Sequence, residues 1–116
     1  MAEKVWASIE ARMTSSRLPG KVLMEAVKNV PMLEFMIERV QKASLIDGVI
    51  VATTINDSDD PIAALCHRLS VPCYRGSEED VLLRVLEAHN SVGSSIIVEL
   101  TGDCPLIDPA IIDKVV

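Results

Sequence analysis

Short apolar runs alternate along the chain with segments whose apolar residues recur at helical spacing. The pattern predicts strands at "KVWASIEA", "GVIVATT", "VPCYR" and "SSIIVEL". Between them it predicts helices at "PMLEFMIERVQKAS", "DDPIAALCHRLS" and "SEEDVLLRVLEAHN", and a last helix at "DPAIIDKVV". The alternation predicts an α/β fold, with a largely parallel sheet that has helices on both faces. The runs "VIVA" and "IIV", apolar on both sides, fit strands buried in such a sheet.

Polar residues at the helix starts predict where each helix begins. Asp59 or Asp60 is expected to cap the second helix, with Pro61 in its first turn. Ser77 is expected to cap the third helix, and Asp80 follows three residues later in an imperfect capping box.

The length of 116 residues fits one domain, spanning residues 1–116. The composition is 49% hydrophobic with one Trp, one Tyr and one Phe, so the core must be aliphatic. No run reaches the roughly 18 apolar residues of a membrane span, so we expect no membrane partner. The three cysteines are an odd number without a C-x-x-C pattern, which favours reduced thiols and a cytoplasmic location.

The formal net charge is −6, which argues against a generic nucleic-acid surface. Three cations nevertheless gather in "IEARMTSSRLPGKVL" near the N-terminus: Arg12, Arg17 and Lys21. A basic loop on an acidic protein favours a small anionic ligand. Arginine could bind phosphate oxygens bidentately, while lysine would act as a point charge.

The predicted sheet brings this loop to one edge with three others, because ligands of open parallel sheets bind beyond the carboxyl ends of the strands. The loop after the third strand adds Arg75, and the loop after the fourth adds Asp103. A triphosphate usually arrives with Mg²⁺, which takes hard oxygen ligands such as one or two carboxylates. Asp103 is the candidate metal ligand.

Simpler interpretations stay open at this point. A basic loop is often only solvated, and an aspartate in a Gly-Asp turn is often structural. The P-loop pattern and the G-x-G-x-x-G pattern are both absent, so any phosphate loop is of another type.

The segment "ARMTSSRLPGKVL" resembles the signature loop of sugar-activating cytidylyltransferases, the family that includes CMP-Kdo and CMP-sialic acid synthetases and the spore-coat-polysaccharide (SpsF-like) type. The blocks "PMLEFMIERV", "VIVATTINDSDDPIAALC", "VPCYRGSEEDVLLR" and "TGDCPLIDPAIIDKVV" agree in order and spacing. The resemblance implies a three-layer α/β/α nucleotidyltransferase fold of Rossmann-like type. It also implies transfer of CMP from CTP to a sugar or sugar-acid acceptor, with release of pyrophosphate and Mg²⁺ as cofactor.

The resemblance also assigns roles to residues. The first loop would wrap the CTP triphosphate, Arg75 would approach the cytosine end, and Asp103 would bind magnesium. The stretch around Asp80 and Arg84 would lie near the nucleotide or the acceptor. The expected nucleotide-binding residues are Ala11, Arg12, Ser15, Arg17, Lys21, Arg75 and Thr101, and the expected catalytic ones are Arg12, Lys21 and Asp103. Many relatives have glutamine where this chain has Glu10, which would place a negative charge near the triphosphate unless it faces away.

Members of this family run to roughly twice the present length, so the chain resembles their N-terminal half. Two alternatives remain for its function. One is a non-catalytic nucleotide-binding or assembly fragment, and the other is a metal-dependent glycosyltransferase. The acceptor and the oligomeric state, including a homo-oligomer, are left open.

Overall fold

The computed structural model describes residues 4–13 and 23–101. These residues form six strands, three α-helices and one 3-10 turn at Asp57–Asp59. The strands are β1 Val5–Glu10, β2 Glu25–Val27, β3 Val30–Pro31, β4 Gly48–Thr54, β5 Cys73–Gly76 and β6 Ile96–Thr101, and the helices are α1 Met32–Gln41, α2 Asp60–Arg68 and α3 Val81–Ser91.

Four strands form a parallel sheet in the order β5-β4-β1-β6. The alternation of side chains along the strands divides the core between the two faces of this sheet. Ala7, Ile9, Val49 and Val51 pack on one face against α1 and α2. On the other face Ile50 and Ala52 pack with Ala88 of α3.

The apolar residues along one side of α1 explain how this helix packs on the sheet. The sequence spacing identifies five apolar residues of α1. Met32 is only partly buried, and the other four are fully buried: Leu33, Met36, Ile37 and Val40. Burying each such side chain stabilises the fold by about 1.5–3 kcal/mol. The three-layer α/β/α fold with a parallel sheet is therefore confirmed. Within residues 4–13 and 23–101, no helix is long and apolar enough to cross a membrane.

The sequence analysis missed a small antiparallel hairpin between β1 and α1. Strands β2 and β3 pair there, and Asn29 has a positive φ of 66° in the turn that joins them. Asparagine tolerates this left-handed conformation better than most residues, so "VKNV" is the signal that could have indicated the turn. The strands have only three and two residues, too few to show a period.

Two predicted helix caps are wrong in detail. The third helix begins at Val81, and its cap is Asp80, which accepts from the Leu83 N–H at 3.0 Å. Ser77 instead accepts from the N–H groups of Glu79 and Asp80 in the preceding turn. Asp59 occupies the N-cap position of α2, yet its side chain makes no capping hydrogen bond. The predicted last helix, residues 108–116, lies outside the described residues.

Candidate functional site

The carboxyl ends of β1, β4, β5 and β6 lie at one edge of the sheet, because all four strands run in the same direction. We call this edge the carboxyl edge. Its register is fixed by Glu10 opposite Ala52 and Thr101, and by Thr54 opposite Gly76. As predicted, the residues that follow β1 and those at the end of β5 meet there.

Arg12 begins the first loop beyond β1 and is held close to the sheet. The N–H of the preceding residue, Ala11, donates to the Ala52 carbonyl at 3.0 Å. The Arg12 side chain is 23% exposed, and its Nε lies 3.6 Å from Oε1 of Glu10. Arg12 is therefore a half-buried cation at the carboxyl edge, where the sequence placed a phosphate-binding residue.

Arg84 of α3 reaches the same edge from beneath the sheet and is fully buried. Its Nη2 donates to Oε1 of Glu10 at 2.5 Å, and its Nη1 donates to the Ser77 carbonyl. Glu10 thus lies between two cations, Arg84 and Arg12, and its negative charge is locally compensated. The sequence left open whether Glu10 would place an uncompensated negative charge near the triphosphate. In the structure its carboxylate is paired with Arg84 and Arg12.

Glu99 of β6 extends this charged cluster. Neighbouring protein atoms take its side chain partly out of water, and this desolvation raises the pKa of Glu99. The negative charge of Glu10 acts in the same direction, while Arg84 opposes both. The pKa of Glu99 therefore depends on the charges of both Glu10 and Arg84.

Arg75, near the end of β5, connects this strand to the end of β4, to the loop that follows it and to the start of α2. Its Nε donates to the Thr54 carbonyl at 2.7 Å, and its Nη2 donates to the Asn56 carbonyl at 2.8 Å. The same Nη2 lies 2.8 Å from Oδ1 of Asp60. Arg75 is at the carboxyl edge, as the sequence predicted, and its guanidinium also holds the loop after β4.

Asp59 belongs to the same edge, although the sequence analysis treated it only as a helix cap. Its Oδ1 accepts from the Met13 N–H at 2.8 Å, and its Oδ2 accepts from the Thr54 hydroxyl. The contact with Met13 spans 46 positions of the chain. No local pattern in the sequence could have indicated it.

The remaining predicted site residues fall at the limits of the described chain. Ser15, Arg17, Lys21 and Asp103 lie outside it, and Thr101 is described only as the end of β6. Asp80 is exposed at the start of α3. Within residues 4–13 and 23–101, no group of three or more His, Cys, Asp or Glu side chains is placed to hold a metal ion.

Comparison with known proteins identifies the family. The cytidylyltransferase family model matches residues 7–116. The chain belongs to the cytidylyltransferase family. This confirms the resemblance seen in the signature loop and the four blocks of sequence.

Individual cytidylyltransferase relatives agree in sequence and in structure. The spore coat polysaccharide biosynthesis protein SpsF of Bacillus subtilis is 38% identical over 112 residues, covering 93% of this chain and 46% of that protein. The structure of a cytidylyltransferase from Leptospira borgpetersenii matches with a TM-score of 0.90 and 40% identity, covering 97% of this chain and 47% of that one. A CMP:2-keto-3-deoxy-manno-octonic acid synthetase complexed with CTP matches with a TM-score of 0.76 and 29% identity, covering 97% and 45%.

This chain therefore spans about half the length of the cytidylyltransferase relatives that it matches. The matched half contains the parallel sheet and the carboxyl edge described above.

Proposed function

We propose that this chain is the nucleotide-binding half of a cytidylyltransferase that transfers CMP from CTP to a sugar or sugar acid, for surface polysaccharide or glycan biosynthesis. The observation that carries the proposal is the likeness, over 97% of this chain, to a synthetase whose structure contains CTP. The SpsF relative is a spore coat polysaccharide biosynthesis protein, which supports polysaccharide biosynthesis as the setting. The free thiols of Cys66 and Cys73 support a reducing, cytoplasmic location.

The cations of the first loop would neutralise the triphosphate of CTP. Arg12 is at the carboxyl edge, and Arg17 and Lys21 follow it in the sequence. Backbone and hydroxyl groups of Ala11, Ser15 and Thr101 would add hydrogen bonds to the nucleotide. Arg75 would face the cytosine end, and Asp80 and Arg84 would lie nearby.

Magnesium would accompany CTP at this edge, held by Asp103 and phosphate oxygens. Carboxylate and phosphate are the hard oxygen ligands that Mg²⁺ takes in nucleotide sites. The resemblance to the family, together with its position just after β6 in the sequence, makes Asp103 the candidate ligand. Two described carboxylates at the carboxyl edge accept hydrogen bonds from protein donors: Glu10 from Arg84, and Asp59 from Met13 and Thr54. When bound, the ion would offset negative charge on the phosphates.

The reaction would be an in-line displacement at the α-phosphorus of CTP. The acceptor oxygen forms a bond to this phosphorus and loses its proton, while the bond to the bridging oxygen breaks and pyrophosphate leaves with the electron pair. The part of the chain described here would contribute by holding the nucleotide, with Arg12 orienting the phosphates. Charge neutralisation by fixed cations would supply the rest of its effect.

A second candidate function follows from the length of the match. The chain spans about half of its relatives, so by itself it fits a non-catalytic nucleotide-binding or assembly unit. Both candidates require CTP binding at the carboxyl edge, and they differ in whether the chain alone turns CTP over.

Calorimetric titration with CTP and Mg²⁺ tests the binding on which both candidates depend. We expect saturable binding, with Arg12→Ala weakening affinity by about tenfold or more, because a charge-assisted contact contributes roughly 1.5–3 kcal/mol. Arg68→Ala is the matched control, since it removes one cation at the far end of α2, where the side chain is 59% exposed. Binding of a nucleoside-diphosphate sugar in preference to CTP, or equal loss in both variants, would contradict the proposal.

A further inference from the structure

Asp59 occupies the N-cap position of α2, but its side chain does not cap the helix. It stands at the N-cap of α2, where the side chain of an Asp usually accepts from a backbone N–H two or three residues later. Asp59 makes no such bond and is only 1% exposed. Burying a carboxylate is unfavourable unless other groups hydrogen-bond to it, so its actual partners are informative.

Those partners lie at the start of the first loop and at the end of β4. Oδ1 accepts from the Met13 N–H at 2.8 Å, and Oδ2 accepts from the Thr54 hydroxyl. The Thr54 hydroxyl in turn accepts from the Asn56 N–H at 3.1 Å. A buried carboxylate on a backbone N–H is a charge-assisted hydrogen bond, stronger than one between neutral groups.

Arg12 is thereby held on both sides of its own backbone. The N–H before it, of Ala11, donates to the Ala52 carbonyl, and the N–H after it, of Met13, donates to Asp59. Its side chain lies beside Glu10, which Arg84 holds in place. Of these anchors, the Asp59 contact is the one made by a buried side chain to the loop itself.

We propose that Asp59 is a positioning residue for nucleotide binding: by holding the Met13 N–H it fixes the backbone of Arg12, and so aims the Arg12 guanidinium at the phosphates. The inference rests on the proposed CTP site at the carboxyl edge. Asp59 acts through Arg12 and does not itself touch the nucleotide. Its effect should therefore disappear when Arg12 is absent.

The test compares Asp59→Asn with a matched control, Thr54→Val. Asparagine keeps one acceptor oxygen for the Met13 N–H but loses the charge, so this bond becomes a weaker, neutral one, and the amide NH2 can only donate to the Thr54 hydroxyl instead of accepting from it. Thr54→Val removes the hydroxyl that bonds Asp59 and Asn56, and it leaves the Asp59 carboxylate in place to hold Met13. If Asp59 affected CTP binding only by stabilising α2 or the turn at residues 54–59, both variants should weaken CTP affinity to the same extent. Asp59→Glu, which keeps the charge on a longer side chain, is the second variant should Asp59→Asn not fold.

Two readouts are taken on each variant: CTP–Mg²⁺ affinity by calorimetry and amide hydrogen exchange by NMR. We expect Asp59→Asn to speed exchange of the Met13 amide at least about tenfold, while the Ala11 amide is unchanged. CTP affinity should fall by roughly tenfold to a hundredfold in Asp59→Asn, and less than about threefold in Thr54→Val. In an Arg12→Ala background, Asp59→Asn should cause no further loss.

Several results would overturn the inference. They are unchanged Met13 exchange in both Asp59 variants, unchanged CTP affinity in Asp59→Asn, an equal loss in Thr54→Val, or a loss that persists without Arg12. If the unaltered chain does not bind CTP, the proposed function fails. The Met13 exchange rates still decide, in that case, whether Asp59 holds the backbone of Arg12.

Discussion

At the residue scale, Arg84 is the most informative side chain. The family resemblance placed it near the nucleotide or the acceptor, and the structure buries it. Arg84 heads the fully buried side chains by volume among the described residues. It shares the helical stripe of Val85 and Ala88, which pack toward the sheet. That spacing was visible in the sequence, but its partner Glu10 is 74 positions away, and only the tertiary fold brings the two together.

Removing Arg84 should destabilise the fold far more than removing an exposed arginine. Arg84→Met deletes a buried guanidinium and leaves the half-buried Glu10 without its shortest partner. Breaking such a pair costs about 3–5 kcal/mol. Arg68→Met is the control, because its pair with Glu34 is exposed on the Arg68 side and should contribute at most about 1 kcal/mol. Urea denaturation gives both values, and an Arg84→Met loss no larger than that of Arg68→Met would refute this role.

His89 should make the fold sensitive to mild acid. Its ring is 1% exposed, neither nitrogen has a hydrogen-bond partner among the described residues, and burial lowers the pKa of His89. Below the unfolded value near pH 6.5, the unfolded chain therefore binds more protons than the folded chain. This contribution to stability is fully present above that pH and is lost as the pH falls below it.

The two histidines of the chain provide their own control for this effect. Free energies of unfolding measured between about pH 5 and 7.5 should show a shallower pH slope in His89→Gln than in the unaltered chain. His67→Gln is the matched control, because it makes the same substitution at an exposed position of α2. Equal slopes in the unaltered chain and in His89→Gln would show that His89 does not carry the acid sensitivity.

At the element scale, the alternation of apolar runs was enough to predict the four parallel strands and three of the helices. Apolar residues at period two and at helical spacing report directly which faces are buried. The β2–β3 hairpin was missed because its strands are too short to have a period. The start of α3 was misplaced because Ser77 and Asp80 are both competent caps, and only the chain path beyond Ser77 selects Asp80.

The pairing of β1 with β4 depends on a close contact between a large side chain and a glycine. Trp6 lies opposite Gly48, and a Cβ on Gly48 would lie 2.6 Å from Cη2 of the indole. Gly48→Ala should therefore cost about 1–3 kcal/mol by overpacking. Thermal or urea denaturation measures this loss.

A double variant separates the clash from any general effect of the substitution on β4. In a Trp6→Leu background the indole is absent, so adding Gly48→Ala should cost clearly less than it does alone. Additive losses would show that the indole does not set the requirement for glycine.

At the scale of the whole molecule, the sequence could place at the site only residues that lie at or next to the ends of predicted strands. Arg12 follows β1 and Arg75 lies near the end of β5, so topology alone placed them at the carboxyl edge. The buried contacts that organise this edge, Asp59 with Met13 and Arg84 with Glu10, join distant segments and left no local signal. The chain spans about half of its relatives, and we propose that this half holds the nucleotide.

We predict that this chain binds CTP at the carboxyl edge but does not by itself complete CMP transfer. In-line transfer needs the acceptor oxygen held about 3 Å from phosphorus, and the residues assigned here all serve the nucleotide. One ³¹P NMR experiment tests both parts, with CTP, Mg²⁺ and a panel of sugar acids added to the 116-residue chain. We predict that the three CTP resonances shift and broaden with added protein, and that no pyrophosphate accumulates. CTP resonances that stay unchanged, or sustained pyrophosphate release at roughly 1 per second or faster, would contradict the account.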